Sequence, residues 1–278
     1  MNFYPKSSGQ AATAPSRAPA REYFASTPHG RIHCLEQGEG PPLLLLHSNG
    51  CSAHEYEAVL PLLANHYRCI AWDLPGHGDS DPPHRHQNIR DYAAATLGLM
   101  DALSLPEAHI CGASVGGFIA IALGRLAPER IASLTIAEAA LRTPAEWTAQ
   151  WSRIESMFAI AQQTFEEVAP RMRQLTPDVL ARWNIDRAKA GSWRMVDVMW
   201  AIREYDATSE LRQLEVPAAV LVGDRGPVIA GRSRFEEALP SAPIRVVADA
   251  GHFPMIDAPE AFAAAVHEGI LQVTGVSS

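Results

Sequence analysis

Residues 112–117, Gly112-Ala113-Ser114-Val115-Gly116-Gly117, directly follow the apolar run 108–111 and open a helical pattern. A serine flanked by glycine two residues away on each side fits a sharp strand-to-helix turn. Larger side chains at the two glycines would collide with neighbouring backbone. The turn presents the Ser114 hydroxyl at a helix N-terminus, where backbone N–H groups favour negative charge. We therefore predict that Ser114 is a nucleophile at the end of a buried strand.

On both sides of this turn, short apolar runs alternate with helical patterns. The predicted strands are Tyr23–Thr27, Ile32–Glu36, Leu43–His47, Arg68–Trp72, Ala108–Cys111, Ile131–Ala137, Ala218–Val222 and Ile244–Val247. The helical patterns cover residues 53–64, 88–103, 115–126, 229–239 and 258–271. Continuous apolar runs separated by helices are typical of a parallel sheet that is buried on both faces. The sequence therefore predicts an α/β fold, with a mostly parallel central sheet of about eight strands flanked by helices.

Residues 139–214 break this alternation, because they contain helical patterns and no predicted strand. The segment holds five of the six tryptophans and four of the seven methionines. We interpret it as a helical cap inserted into a core domain that comprises residues 21–138 and 215–278. The cap's apolar side chains either pack it onto the core or line a substrate pocket, and both roles can hold together. The candidate pocket residues are Trp147, Trp151, Trp183 and Phe253.

A serine hydroxyl needs a general base to take its proton. In strand-to-helix turns of this type, the chain order of the triad is serine, acid, histidine. Only His252 and His267 follow Ser114 among the 11 histidines. His267 belongs to the last helical pattern, whereas His252 lies in the loop 250–254, just beyond the last predicted strand. We therefore predict that His252 is the base.

Acyl transfer also requires N–H donors for the developing oxyanion. The residue after the nucleophile, Val115, is expected to supply one donor. The second is expected from the loop after the strand at residues 43–47, where Asn49 is the better candidate and Ser48 the next. We interpret His47 as a residue that stabilises this loop.

The chain from Arg21 to Ile270 resembles the α/β-hydrolase fold superfamily, and its pattern is closest to esterase-like and haloalkane-dehalogenase-like members. The segment 73–80, Asp-Leu-Pro-Gly-His-Gly-Asp-Ser, is similar to the Asp-x-x-Gly-x-Gly-x-Ser loop that follows the fourth strand in that superfamily. We interpret its Asp73, Asp79 and Ser80 as structural. Usual dehalogenases and epoxide hydrolases carry an aspartate where Ser114 stands, so the resemblance implies attack on a carbonyl carbon.

The triad acid is the point at which the sequence departs from this family. Most members place it in a Gly-x-x-Asp pattern after the seventh strand, and here glycine, Gly226, stands at that position. Asp224 lies two residues earlier. Some haloalkane-dehalogenase-like members instead take the acid from the end of the sixth strand, where this chain has Glu138. We favour Glu138 over Asp224, and the alternative for each is a solvated or cap-binding charge.

The overall composition, 47% apolar and 19% charged in 278 residues, is that of a globular protein. The 31 acidic and 23 basic residues give a net charge of −8, which argues against a nucleic-acid or membrane partner. Four cysteines without ligand spacing are expected to be reduced, buried thiols in a cytoplasmic protein. Residues 1–20 contain no acid and are interpreted as a disordered tail, with a transit peptide as the alternative. The sequence leaves the oligomeric state open, a homodimer included.

These predictions describe a serine hydrolase for a small, largely apolar carbonyl substrate, with a carboxylic ester as the favoured substrate and no cofactor or metal required. Hydrolysis of a carbon–carbon bond in a dienone or diketone would use the same residues. A non-catalytic, ligand-sensing protein that kept the pocket is the alternative outside enzymes. Arg142 and Arg203 are candidate partners for a substrate carboxylate, although solvated surface arginines are more common.

Overall fold

The computed structural model describes residues 19–275, and each predicted strand is present with its bounds shifted by a few residues at most. The predicted disordered tail lies outside the described residues, except for residues 19 and 20. The strands are β1 (Arg21–Thr27), β2 (Gly30–Gln37), β3 (Pro42–Leu46), β4 (Arg68–Trp72), β5 (Ala108–Ala113), β6 (Ile131–Ala137), β7 (Ala218–Gly223) and β8 (Ile244–Val247).

The eight strands form one sheet in the order β1-β2-β4-β3-β5-β6-β7-β8. Strands β1 and β2 form an antiparallel hairpin, and β2 also pairs antiparallel with β4. The remaining pairs are parallel. The mostly parallel, eight-stranded α/β sheet predicted from the sequence is confirmed.

The helices lie between and around these strands. They are α1 (Leu60–Leu63), α2 (Ile89–Ala102), α3 (Val115–Leu126), α4 (Pro144–Phe158), α5 (Phe165–Val168), α6 (Pro177–Glu204), α7 (Ala207–Arg212), α8 (Ser233–Ala238), α9 (Pro254–Asp257) and α10 (Pro259–Thr274). The helix predicted over 53–64 is wrong in extent, because a 3-10 turn at Ala53–Tyr56 precedes the single turn of α1. Pro61 has no N–H group to continue the earlier turn.

The core lies on both faces of the sheet and follows the two-residue period of a strand. In β3, Leu44 and Leu46 belong to one buried cluster, whereas Leu43 and Leu45 belong to the other. The four cysteines are free and buried, as the sequence analysis expected. Burial raises the pKa of Cys69 to about 12, which keeps it a neutral thiol.

Between β6 and β7 the chain forms four helices, α4 to α7, joined by loops and without a strand among them. Helix α6 is interrupted at Gly191, where φ is 75°. No helix among residues 19–275 combines the length and apolar character needed to cross a membrane.

The residues that the sequence analysis proposed for chemistry each follow the carboxyl end of a strand in the parallel part of the sheet. They are Asn49, Ser114, Glu138, Asp224 and His252. This edge is the usual location of ligand sites in open α/β sheets.

Candidate active site

Ser114 lies in a strained turn between β5 and α3, with φ 52° and ψ −113°. A Cβ atom at Gly112 would lie 2.0 Å from the carbonyl oxygen of Gly116. A Cβ atom at Gly116 would lie 2.2 Å from the carbonyl oxygen of Leu46 in β3. Glycine is therefore required on both sides of Ser114, for the steric reason that the sequence analysis gave.

His252 and Glu138 are joined by a hydrogen bond, with 3.0 Å between His252 Nδ1 and Glu138 Oε2. The Glu138 side chain is fully buried, and 17% of the His252 side chain is exposed. The other carboxylate oxygen of Glu138 accepts a hydrogen bond of 2.6 Å from the backbone N–H of Gly223. One carboxylate oxygen of Glu138 is therefore bonded to the His252 imidazole, and the other is bonded to the end of β7.

The backbone at Glu138 is strained like that of Ser114, with φ 50°. Its carboxylate occupies the space beside Gly226, where a Cβ atom would lie 2.9 Å from both carboxylate oxygens. Gly226 stands where the resemblance implies an aspartate in most members. A side chain at residue 226 and the present position of Glu138 therefore exclude each other.

Asp224 has a different environment. Its side chain is 36% exposed, and its Oδ1 accepts a hydrogen bond of 3.2 Å from the backbone N–H of Ala250. The guanidinium of Arg225 lies 3.9 Å away. These contacts join Asp224 to the loop that leads to His252.

The loop after β3 begins beside the turn at Ser114, because Leu46, the last residue of β3, lies against Gly116. Both donors of Ser48, its N–H and its hydroxyl, bind the Glu55 carboxylate at 2.7 and 2.8 Å. Because these donors are engaged, Asn49 is the better candidate for the second oxyanion donor, together with Val115. The Asn49 side chain donates to the Met195 carbonyl in α6 at 2.8 Å, which ties this loop to the segment between β6 and β7.

Glu55 is a functional candidate that the sequence analysis missed. Its carboxyl group is buried, and burial raises its pKa to about 7, although the hydrogen bonds from Ser48 and Cys51 act in the opposite direction. No local motif marks this residue, because its contact with Ser48 depends on how the loop folds.

His47 braces the same loop, as the sequence analysis predicted. Its Nδ1 donates to the carbonyl oxygen of Ser48 at 2.8 Å, and its Nε2 accepts from the backbone N–H of Leu74 at 2.9 Å. Burial lowers the pKa of His47, which favours the neutral imidazole that this pair of bonds requires.

The loop 73–80 is organised around Asp73, in agreement with its predicted structural role. Its carboxylate accepts hydrogen bonds from Ala53 N–H at 2.6 Å, Asp79 N–H at 2.8 Å and His33 Nδ1 at 2.8 Å. Donor atoms of His33, Asp73 and Asp79 lie within 4.8 Å of one another, which is a spacing that a metal ion could use. Because the Asp73 oxygens already accept these bonds, we interpret the cluster as a structural brace.

A cavity of about 260 Å³ lies over the carboxyl ends of the strands, and Ser114, Glu138 and His252 contribute to its wall. Three of the four predicted pocket residues also line it: Trp147, Trp183 and Phe253.

The prediction that Trp151 lines the cavity is wrong. Its ring packs against Trp200, with 4.2 Å between ring centroids, and under the guanidinium of Arg203. Arg203, one of the two candidate carboxylate partners, is thus engaged with these rings.

Three arginines line the cavity, and the sequence analysis had considered only one of them as a candidate ligand. They are Arg142, Arg153 and Arg171. Isolated arginines in helical or loop segments carry no motif, so the positions of Arg153 and Arg171 could be found only from the fold.

Comparisons with known proteins identify the family of this chain. The chain matches the model of the Alpha/beta hydrolase family over residues 43–265. It is 28% identical over 246 residues to the pimeloyl-[acyl-carrier protein] methyl ester esterase of Aeromonas salmonicida, covering 81% of this chain and 93% of the relative. The enol-lactonase of Burkholderia xenovorans LB400 superposes with a TM-score of 0.77 at 26% identity, over 89% of this chain and 99% of that one.

A third relative is longer than this chain. The dihydrolipoyllysine-residue acetyltransferase component of the acetoin cleaving system of Pseudomonas putida is 29% identical over 234 residues, which are 80% of this chain and 61% of the relative. This chain thus spans less than two thirds of that protein. The family match extends over most of the chain and includes β3, except its first residue, and every strand from β4 to β8. The protein therefore belongs to the alpha/beta hydrolase family.

Proposed function

We propose that this family member is a serine hydrolase that cleaves small carboxylic esters. The observation that carries the proposal is the hydrogen bond between His252 Nδ1 and the buried Glu138 carboxylate, in the wall of the cavity that also contains Ser114. A carboxylate on Nδ1 keeps the proton on that nitrogen and leaves Nε2 free to accept one.

The proposed reaction begins when Ser114 Oγ attacks the ester carbonyl carbon and His252 Nε2 takes the hydroxyl proton. Glu138 stabilises the imidazolium that forms. The backbone N–H groups of Val115 and Asn49 bind the oxyanion. The tetrahedral intermediate collapses to an acyl-enzyme, and His252 donates its proton to the departing alkoxide. Water then attacks the acyl-enzyme with His252 as base, which releases the acid and restores Ser114. The steps require no cofactor.

The names of the relatives support ester chemistry. One is a methyl ester esterase and another an enol-lactonase, and both names describe the opening of a carboxylic ester bond. For this chain, the serine at residue 114 and the small cavity favour the same bond in a small molecule.

The proposal includes a covering role for residues 139–214. Trp147 and Trp183 from this segment line the same cavity as Ser114 and His252. A wall of this kind excludes water from the reacting atoms and strengthens the electrostatic interactions there. We also place the protein in the cytoplasm, where the four buried thiols stay reduced.

Hydrolysis of a short-chain p-nitrophenyl ester tests the proposal. We expect turnover by the wild type and a loss of about a thousandfold or more in Ser114→Ala. Ser241→Ala, a substitution of an exposed serine in a turn, is the matched control and keeps full activity. A fluorophosphonate probe is expected to label the wild type and not Ser114→Ala. Unchanged turnover in Ser114→Ala, or a wild type that neither hydrolyses esters nor reacts with the probe, contradicts the proposal.

A further inference from the structure

The cavity carries a charge opposite to that of the whole chain. Its lining includes three arginines and one carboxylate, that of Glu138, which is already bonded to His252. The chain as a whole has a net charge of −8. A positive cavity in an acidic protein attracts an anionic ligand, because low-dielectric walls focus the field at the site.

Arg171, one of the cavity arginines, contacts His252 directly through its backbone. Its carbonyl oxygen accepts a hydrogen bond of 2.9 Å from the N–H of His252. Its guanidinium lies 5.2 Å from the ring centroid of Trp183 and donates to Gln163 Oε1 at 2.8 Å. Burial lowers its pKa. Within residues 19–275, no carboxylate forms an ion pair with Arg171.

Arg187 adds a second unpaired cation behind the same wall. The residue is fully buried, and its guanidinium lies 5.6 Å from the ring of Trp183 and 5.7 Å from that of Phe158. One Nη atom donates to the carbonyls of Met157 and Ile160. The Nε atom and the other Nη atom have no hydrogen-bond partner in the described part of the chain.

A half-buried guanidinium at Arg171 and a fully buried one at Arg187, neither in an ion pair with any carboxylate that the structure describes, are costly for the free protein. Burial, followed by the charge of Arg171, lowers the pKa of Arg187 to about 10. An uncompensated buried charge loses its hydration without gaining a partner. An anion bound in the cavity offsets this loss through a charge-assisted hydrogen bond with Arg171, which lines the cavity, and through its attraction to the charge of Arg187.

We propose that Arg171, with Arg187 behind it, forms an anion subsite, and that the substrate is an ester or lactone that carries a free carboxylate. This inference rests on the proposed function, since the ester must lie at Ser114 while the carboxylate pairs with Arg171. Water cleaves the acyl C–O bond, so a linear monoester yields one alcohol and one dicarboxylate. The small cavity favours a short chain between the two groups.

Kinetics on matched substrates test the subsite. Monomethyl esters of the straight-chain diacids from succinate to pimelate are compared with the methyl esters whose far end is a primary amide. For the preferred length, we expect wild-type kcat/KM to be at least about tenfold higher with the carboxylate, as charge-assisted hydrogen bonds are stronger than neutral ones. In Arg171→Gln this ratio collapses towards one. Arg173→Gln, an exposed arginine two residues away, keeps the wild-type ratio.

Two kinetic results overturn the subsite: a wild type that hydrolyses the esters through Ser114 without preferring the carboxylate, or an Arg171→Gln variant that keeps the preference. The first leaves the proposed function intact. If no ester is hydrolysed, the proposed function fails. The anion subsite is then tested separately, by measuring how tightly a diacid binds. By calorimetry, a diacid of the series is expected to bind the wild type at least about tenfold more tightly than its diamide and Arg171→Gln correspondingly weakly. Equal affinity of the wild type for the diacid and the diamide refutes the anion subsite.

Discussion

The carboxyl ends of β6 and β7 both carry an acidic residue, but the two carboxylates have different environments. Each strand is followed directly by an acidic residue, Glu138 after β6 and Asp224 after β7. Glu138 is fully buried and bonded to His252, whereas Asp224 is 36% exposed and bonded to a backbone N–H. Position at a strand end is therefore not enough to define a triad acid. The absence of a side chain at Gly226 leaves room for the Glu138 carboxylate beside His252.

Neutral substitutions at the two acids are expected to have the largest difference in effect. Glu138→Gln removes the charge that stabilises the His252 imidazolium, and we expect kcat to fall by about a thousandfold to ten-thousandfold. Asp224→Asn keeps an acceptor for Ala250 N–H, and we expect kcat within about twofold of the wild type. Steady-state kinetics on the p-nitrophenyl ester measure both. A large loss in Asp224→Asn with a small one in Glu138→Gln would reverse the assignment.

Moving the acid from β6 to β7 tests the steric part of the comparison. Gly226→Asp alone places its Cβ against the Glu138 carboxylate, and we expect the free energy of unfolding to fall by on the order of 2 kcal/mol. Combined with Glu138→Ala, the same aspartate no longer meets the Glu138 carboxylate, and its closest remaining contact is the Gly251 carbonyl oxygen, 3.0 Å from the Cβ position. We expect kcat of the double variant to exceed that of Glu138→Ala by about tenfold or more.

A matched control for the steric effect is available at Gly231. A Cβ atom there has no heavy atom within 4 Å, and Gly231→Asp is expected to leave the denaturation midpoint unchanged. The steric account is wrong if Gly226→Asp proves as stable as Gly231→Asp in chemical denaturation.

Glu55 is a third carboxylate to compare with Glu138 and Asp224, because it is buried like Glu138 but bonds to Ser48 instead of a histidine. Burial raises its pKa to about 7 from the ordinary 4.5, so the folded state keeps a proton that the unfolded state loses. The free energy of unfolding therefore falls as the pH rises from about 4.5 to about 7, by on the order of 3 kcal/mol. Glu55→Gln removes this contribution.

Denaturation across that pH range measures the effect. We expect a shallower decline in stability for Glu55→Gln than for the wild type. Glu57→Gln, at a side chain that is 70% exposed, serves as the control and should follow the wild-type curve. Parallel curves for Glu55→Gln and the wild type would show that Glu55 titrates normally.

The sequence was most informative where local geometry and chemistry coincide. The glycines around Ser114 are required by contacts within a few residues and with the adjacent strand, so a short motif reveals them. The apolar runs predicted the strands because a parallel sheet is buried on both faces. Proline at residue 61 divided a helix that the apolar pattern alone made continuous.

Features that depend on packing between distant segments could not be predicted in this way. The apolar pattern does not indicate which tryptophan of α4 lines the cavity. In the structure Trp147 lines it, whereas Trp151 packs on Trp200. The contact of Ser48 with Glu55 and the location of Arg171 beside the His252 loop depend on the folded loops. The two candidate acids remained open in the sequence because only the fold brings Gly226 next to Glu138.

Proton NMR of the His252 ring tests the central claim most directly, because an Nδ1 proton bonded to a carboxylate resonates far downfield of other N–H protons. The account predicts a downfield resonance that is present in the wild type and in Asp224→Asn and lost in Glu138→Gln and His252→Gln. A resonance from the Nδ1 proton that His33 donates to Asp73 is expected to stay in all four proteins. A resonance that persists in Glu138→Gln and disappears in Asp224→Asn would contradict the claim that the β6 carboxylate holds the catalytic histidine.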